Sequence, residues 1–202
     1  MKRRTFDKIV TTMGLGLTVF LFVAAGLLNF GYSFADKNVR DALVAQKVTF
    51  PTADSGAMMA LPAADKAEMM KYAGKLISNG AMANTYANHF IAVHLRAVAG
   101  GKVYEEVSGE YLAKSAQLRA NPTDATLKTE VATLEGQRTT LFMGETLKGL
   151  LGFSYAFWQF GQIAKISAGV ALLGGIVMLL LTIAGYLHLR RTDESEIGRA
   201  HV

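Results

Sequence analysis

The chain has 202 residues, 51% of them apolar, no cysteine and a formal net charge of +5. That length suits one or two small domains, and the lack of cysteine excludes disulfides, thiolate metal sites and cysteine nucleophiles. The excess charge is local: Lys2, Arg3, Arg4 and Lys8 open the chain, whereas residues 36–162 carry thirteen bases against twelve acids. It therefore marks one end rather than a basic face, and no nucleic-acid partner is expected.

Residues 9–35 contain no charged side chain and lie between Lys8 and Asp36. Ser33 and Ala35 place small residues where a signal peptidase would look. The apolar run is nevertheless far longer than the roughly 7–15 residues of a signal peptide, so an uncleaved first transmembrane helix is expected at 9–35, with 1–8 cytoplasmic.

Asp36 to Phe50 is expected to continue this helix outward, with Val39 and Leu43 at helical spacing until Pro51 stops it. Thr52 to Ala64 reads as a loop, rich in small residues. Asp65 then opens a helix whose Met69, Met70, Ala73, Leu76 and Ile77 form one apolar stripe, ended by Ser78-Asn79-Gly80. From Ala81 to Ala99 the face is Met82, Tyr86, Phe90, Val93 and Ala97, and Gly100-Gly101 supplies a left-handed cap. Lys102 to Ala120 is a further helix that buries Tyr104, Val107, Tyr111 and Leu118. Asn121 is expected to cap a new helix with Pro122 in its first position. Its stripe is Leu127, Val131, Leu134 and Leu141, interrupted by Arg138, and it can run into the second apolar segment. No run alternates with period two, so 36–162 reads as an all-helical extracytoplasmic domain.

A second transmembrane helix is expected at 163–189. Its core, Ile166 to Leu189, is 24 residues without a charge, roughly 36 Å of helix against roughly 30 Å of bilayer hydrocarbon. Arg190 and Arg191 follow it, which places both termini, 1–8 and 190–202, in the cytoplasm. Tyr32, Phe34, Trp158 and Phe160, with Lys165, suit the outer membrane interface. Ser167, Ala171 and Gly175 recur every four residues, a face that permits close helix approach, with Gly14 and Thr18 as its counterpart. The tail Glu196-Ile197-Gly198-Arg199-Ala200-His201-Val202 reads as an in-frame translation of a sequencing adapter, so 196–202 is treated as foreign to the protein.

Ile91, His94, Gly100, Gly101, Lys102 and Tyr104 form an Ile-x-x-His-x5-Gly-Gly-Lys-x-Tyr stretch. Through it the chain resembles an uncharacterised actinobacterial family of two-span membrane proteins with a helical segment between the spans. Some members carry the label aromatic ring-opening dioxygenase, which implies Fe(II) held by two His and one carboxylate. The candidates here are His89 and His94, with Glu105, Glu106 and Glu110 nearby in sequence. Five residues of helix turn through about 140° beyond a full turn, so one ligand face for both His would need a distortion or a second chain. The serines lack a nucleophile-elbow setting, Gly100-Gly101-Lys102 lacks the phosphate-loop frame, and Met58, Met59, Met69 and Met70 read as packing. No catalytic residue, metal or cofactor is therefore expected.

The function expected is an interaction or assembly subunit of the cell envelope. It would contact membrane lipid and, through its outer helices, an envelope protein or its own copies. The alternative is an oligomeric pore built from two-span hairpins.

Overall fold

The computed structural model describes residues 3–191; Met1, Lys2 and the tail 192–202, including the adapter-like 196–202, lie outside the described residues. The order of elements is α1 (Arg3–Ala45), α2 (Gly56–Met59), α3 (Ala63–Met70), α4 (Gly80–Tyr86), a π-turn (Ala87–Ile91), α5 (Ala92–Val98), α6 (Tyr104–Ala120) and α7 (Ala125–Arg191). Among the described residues the only β pairing is an isolated antiparallel bridge between Thr49 and Leu76. The chain divides into two compact units, one comprising 1–35 and 160–202, the other 36–159. Both α1 and α7 contribute to each unit.

In the first unit, α1 and α7 are each long and apolar enough to cross a membrane, and only 11% of the most apolar window of each is buried. A core helix of a water-soluble protein would be covered on most sides; these leave Leu17, Phe20, Val23, Leu27, Val170, Leu173, Val177 and Leu180 exposed. The residues they do cover are small. Thr18, Ala25 and Ala35 on α1 and Ala168 on α7 are buried, as are Gly161 and Gly175.

The second unit is organised around Phe50, Met58, Met69, Ile77, Val107 and Leu141, each no more than 2% exposed. Local chemistry sets its boundaries. Ser55 Oγ accepts the Met58 N–H at 3.2 Å, Asn79 Oδ1 accepts the Met82 N–H at 2.9 Å, and Asp124 Oδ1 accepts the Leu127 N–H at 3.0 Å, starting α2, α4 and α7 respectively. At the start of α6 the Glu106 carboxylate accepts the Val103 N–H at 2.8 Å. The Gly101 N–H reaches back to the Arg96 carbonyl at 2.8 Å, with Gly100 and Gly101 at φ +61° and +89°. This six-residue closure is the left-handed stop foreseen at those glycines.

Several boundaries differ from the sequence expectation. Helix α1 ends at Ala45 rather than Phe50, because Lys47 takes φ +54° and Phe50 turns into the core. Helix α3 ends at Met70, so the apolar stripe drawn through Leu76 and Ile77 is not a helix face. The Phe50 N–H instead bonds the Lys75 carbonyl and the Ile77 N–H the Val48 carbonyl, both at 2.9 Å. In this short extended pair Phe50 and Ile77 point inward, while Thr49 and Leu76 remain outside. Asn121 closes α6 instead of opening α7, and Asp124 is the cap. On α4 to α5 Met82 of the expected face is buried, and Tyr86, Phe90 and Val93 pack partly buried against the core, but Ala83, Ala87, Ile91 and Leu95 are buried as well, as is Ala99 just beyond. The covered face is therefore wider than expected, because small side chains let this segment approach α7: a Cβ placed on Gly144 would lie 2.3 Å from Leu95 Cδ2.

Candidate functional site

The resemblance motif begins inside a helix irregularity. The Ala92 N–H bonds the Ala87 carbonyl, five residues back, so one extra residue is accommodated between α4 and α5. Such single wide turns recur at functional sites. Around it the rings form a chain. Phe50 meets Tyr72 at 5.3 Å and Tyr86 edge-on at 5.4 Å; Tyr86 meets Phe90 at 4.8 Å and Phe90 meets His94 at 4.4 Å. Burial pushes the Tyr86 phenol above its ordinary pKa, since the phenolate would be poorly solvated there.

His89 and His94 are engaged separately. His89 Nδ1 donates to Asp65 Oδ1 at 2.8 Å, and Arg96 stands 4.0 Å from the other oxygen of the same carboxylate. Asp65 thus joins α3 to the π-turn and α5. On its flank, Glu68 is held below the usual carboxylate range by its hydrogen bond and ion pair with Lys71 at 2.6 Å. His94 is exposed, and its Nδ1 donates to the Phe90 carbonyl at 2.8 Å. The distortion that joint ligation would have required is present. Even so, among the described residues no three His, Asp or Glu side chains group closely enough to hold a metal ion.

The rest of the motif leads to an exposed cleft. Ile91 is buried and Gly100-Gly101 makes the turn. Lys102 pairs with Glu110 at 2.6 Å, steadying the start of α6. Tyr104, the first residue of α6, lies under Arg138 of α7, whose guanidinium carbon is 5.8 Å from the Tyr104 ring centre and 5.1 Å from that of Tyr111. Arg138 Nε also donates to Ser108 Oγ at 3.1 Å. Lys114 and Glu130 pair at 2.7 Å further along the same two helices. Tyr104, Arg138, Thr139 and Phe142 line a cleft of about 270 Å³, and Phe142 meets Tyr104 at 5.8 Å. Phe142 is 58% exposed, which leaves apolar surface beside a held arginine. One feature of the sequence points to this cleft: Arg138 interrupts an apolar stripe, a position that calls for aromatic and hydroxyl cover.

In the unit of residues 1–35 and 160–202, Gly14 and Gly175 each sit at a close approach of the two helices, but against other residues than the expected counterparts. A Cβ on Gly175 would lie 3.1 Å from Phe22 Cε1, and one on Gly14 would lie 2.9 Å from Thr182 Oγ1. Thr18 is buried, its hydroxyl bonded to the Gly14 carbonyl at 2.8 Å. Ser167 and Ala171 are half-buried beside the seam. Added to these are Gly161, which faces Ala35 at 3.0 Å, and Gly185, which faces Thr11 Oγ1 at 2.8 Å. Partners on α1 descend from Ala35 to Thr11 as those on α7 rise from Gly161 to Gly185, so the pair is antiparallel. Gly161, Ala168, Gly175 and Thr182 recur every seven residues, as do Thr11, Thr18, Ala25 and Tyr32. This seam has heptad spacing, which the four-residue repeat of Ser167, Ala171 and Gly175 does not follow.

Of the expected interface residues, Lys165 lies over the Tyr32 ring at 4.9 Å, and Phe34 and Phe160 are exposed. Trp158 packs partly buried against the core of the 36–159 unit. Arg190 stacks on Tyr186 at 4.8 Å, and Arg191 is exposed. No family model matches the chain, and neither a curated protein nor a solved structure matches it.

Proposed function

We propose that this protein is an integral membrane subunit of the cell envelope that recruits a protein partner, or further copies of itself, through the exposed cleft between α6 and α7. The observation that carries this reading is the Tyr104–Arg138–Phe142 arrangement. An arginine braced by two tyrosines and a hydroxyl, with exposed Phe142 in the same cleft, has the composition of interface hot spots. In this reading α1 and α7 anchor the chain across the membrane. Lys2, Arg3, Arg4, Lys8, Arg190 and Arg191 hold both termini in the cytoplasm, and 36–162 lies outside.

The test is affinity purification from native membranes of the wild type and of a Phe142→Ala variant, followed by mass measurement of intact complexes. A stoichiometric partner or a defined homo-oligomer held by the wild type and lost by the variant is expected. Identical complexes from both would remove the cleft from the interface. Ion flux through the purified protein in liposomes would replace this reading with a pore. Protease added to spheroplasts should cut the 36–162 segment and spare the ends; the reverse pattern would invert the proposed sidedness.

A further inference from the structure

At the end of the helix pair that carries the chain's first basic residues, two clefts between α1 and α7 join. One, of about 360 Å³, is lined by Arg4, Lys8, Thr11, Thr12, Tyr186 and Arg190, with Leu189 beside them. The other, of about 380 Å³, shares Thr11, Thr12 and Tyr186 and continues along Leu15, Leu179 and Ile183. The shared residues make one continuous groove, cationic at its mouth and apolar along its length.

The mouth is partly organised. Arg190 is held on the Tyr186 ring at 4.8 Å, and its guanidinium donates to the Tyr186 hydroxyl at 3.1 Å. Asp7, the one carboxylate among the described residues of this unit, does not line the groove. Lys8 and Arg190 at a cleft with an apolar floor between two helices are complementary to an anion that carries a hydrocarbon chain. They are poorly matched to a choline headgroup, whose outermost group is itself a cation.

We propose that this groove binds one anionic phospholipid, its phosphate and headgroup between Lys8 and Arg190 and one acyl chain along Leu15, Leu179 and Ile183. The site rests on the reading of α1 and α7 as membrane-spanning helices. Bound there, the lipid lies across the open end of the helix pair and bridges α1 to α7.

The experiment uses the full chain, purified in detergent with equal amounts of dioleoylphosphatidylglycerol and dioleoylphosphatidylcholine, and reads retained lipid by native mass spectrometry. Wild type is expected to keep the glycerol lipid in preference to the choline lipid. A Lys8→Gln/Arg190→Gln variant should lose that lipid's affinity by roughly thirtyfold, from two charges near a headgroup. Leu15→Trp, which occupies the apolar limb with every charge intact, should also lower retention. Arg191→Gln, exposed and outside the groove, should leave it unchanged. Helix content from circular dichroism keeps lost binding distinct from lost folding. Equal retention of the two lipids, an unaffected double variant, or an equal loss in Arg191→Gln would each overturn the site while leaving the membrane reading intact. Recovery of unaggregated full-length protein without detergent would overturn the membrane reading and the site together.

Discussion

The Trp158 side chain lies directly over Gly80: a Cβ placed on Gly80 would fall 2.5 Å from Trp158 Cβ and 2.8 Å from its Cγ. Gly80 is the first residue of α4, immediately after the Asn79 cap, so α7 is seated where a short helix begins. Any side chain at position 80 must push the two elements apart. Gly80→Ala should therefore destabilise by about 1–3 kcal/mol, the usual cost of overpacking, read as a fall in Tm by circular dichroism in detergent. Adding Trp158→Gly should remove most of the difference between glycine and alanine at position 80, because the Cβ and Cγ that meet the new methyl are then gone. An unchanged Tm for Gly80→Ala would refute the contact.

The register of α1 against α7 can be tested covalently, because the chain has no cysteine of its own. A Cβ on Gly161 would stand 3.0 Å from Ala35 Cβ, close enough that a small relaxation reaches the roughly 3.5–4.5 Å of a disulfide. Ala35→Cys/Gly161→Cys should crosslink on mild oxidation, detected as a mobility shift that reductant reverses after proteolysis between the helices. Ala35→Cys/Gly169→Cys should not.

Gly175→Leu should reduce that crosslinking, since Phe22 and Leu21 occupy the space the new side chain needs. Gly169→Leu should have little effect, having nothing within 4 Å. Equal behaviour of the two leucine variants would show that the seven-residue seam does not set the packing.

Tyr86 gives a pH dependence with a definite sign. Burial raises its pKa in the folded state above the ordinary phenol value of about 10. Above pH 10 the unfolded chain therefore loses the phenolic proton first. Tyr86 contributes its full stability below that point, and the contribution declines as pH rises through the folded value. Alkaline titration followed at the phenolate absorbance should show one tyrosine ionising late, and Tyr86→Phe should abolish that late step while keeping the rings against Phe50 and Phe90. A titration with every tyrosine ionising near pH 10 would contradict the burial.

Arg138 should matter to stability as well as to binding. Its two ring contacts and its bond to Ser108 together suggest a cost of about 2 kcal/mol for Arg138→Ala, measured by denaturant unfolding. Arg138→Lys should recover only part of this, because an ammonium lacks the planar fork that lies between Tyr104 and Tyr111 while bonding a hydroxyl. Full recovery by lysine would mean that charge alone is required there.

The helical class and the two long apolar helices were legible from the chain alone, because hydropathy over twenty or more residues and three-to-four spacing are properties of consecutive positions. The glycine stop at Gly100-Gly101 was legible for the same reason: a left-handed cap is a local requirement of backbone conformation. What the sequence could not supply were relations between distant positions. Leu76 and Ile77 fit a helical stripe in one dimension, yet they pair with Val48 to Phe50 because the core claims Phe50 and Ile77 together. His89 gave no sign of Asp65, nor Gly80 of Trp158. The four-residue small motif at Ser167, Ala171 and Gly175 placed Gly175 at a close approach, but against Phe22 rather than Gly14 or Thr18, and the seven-residue seam became visible only with α1 laid against α7. A helix face has no identity until a neighbour is placed on it: spacing narrows the choice of face, and the partner's shape decides which is used.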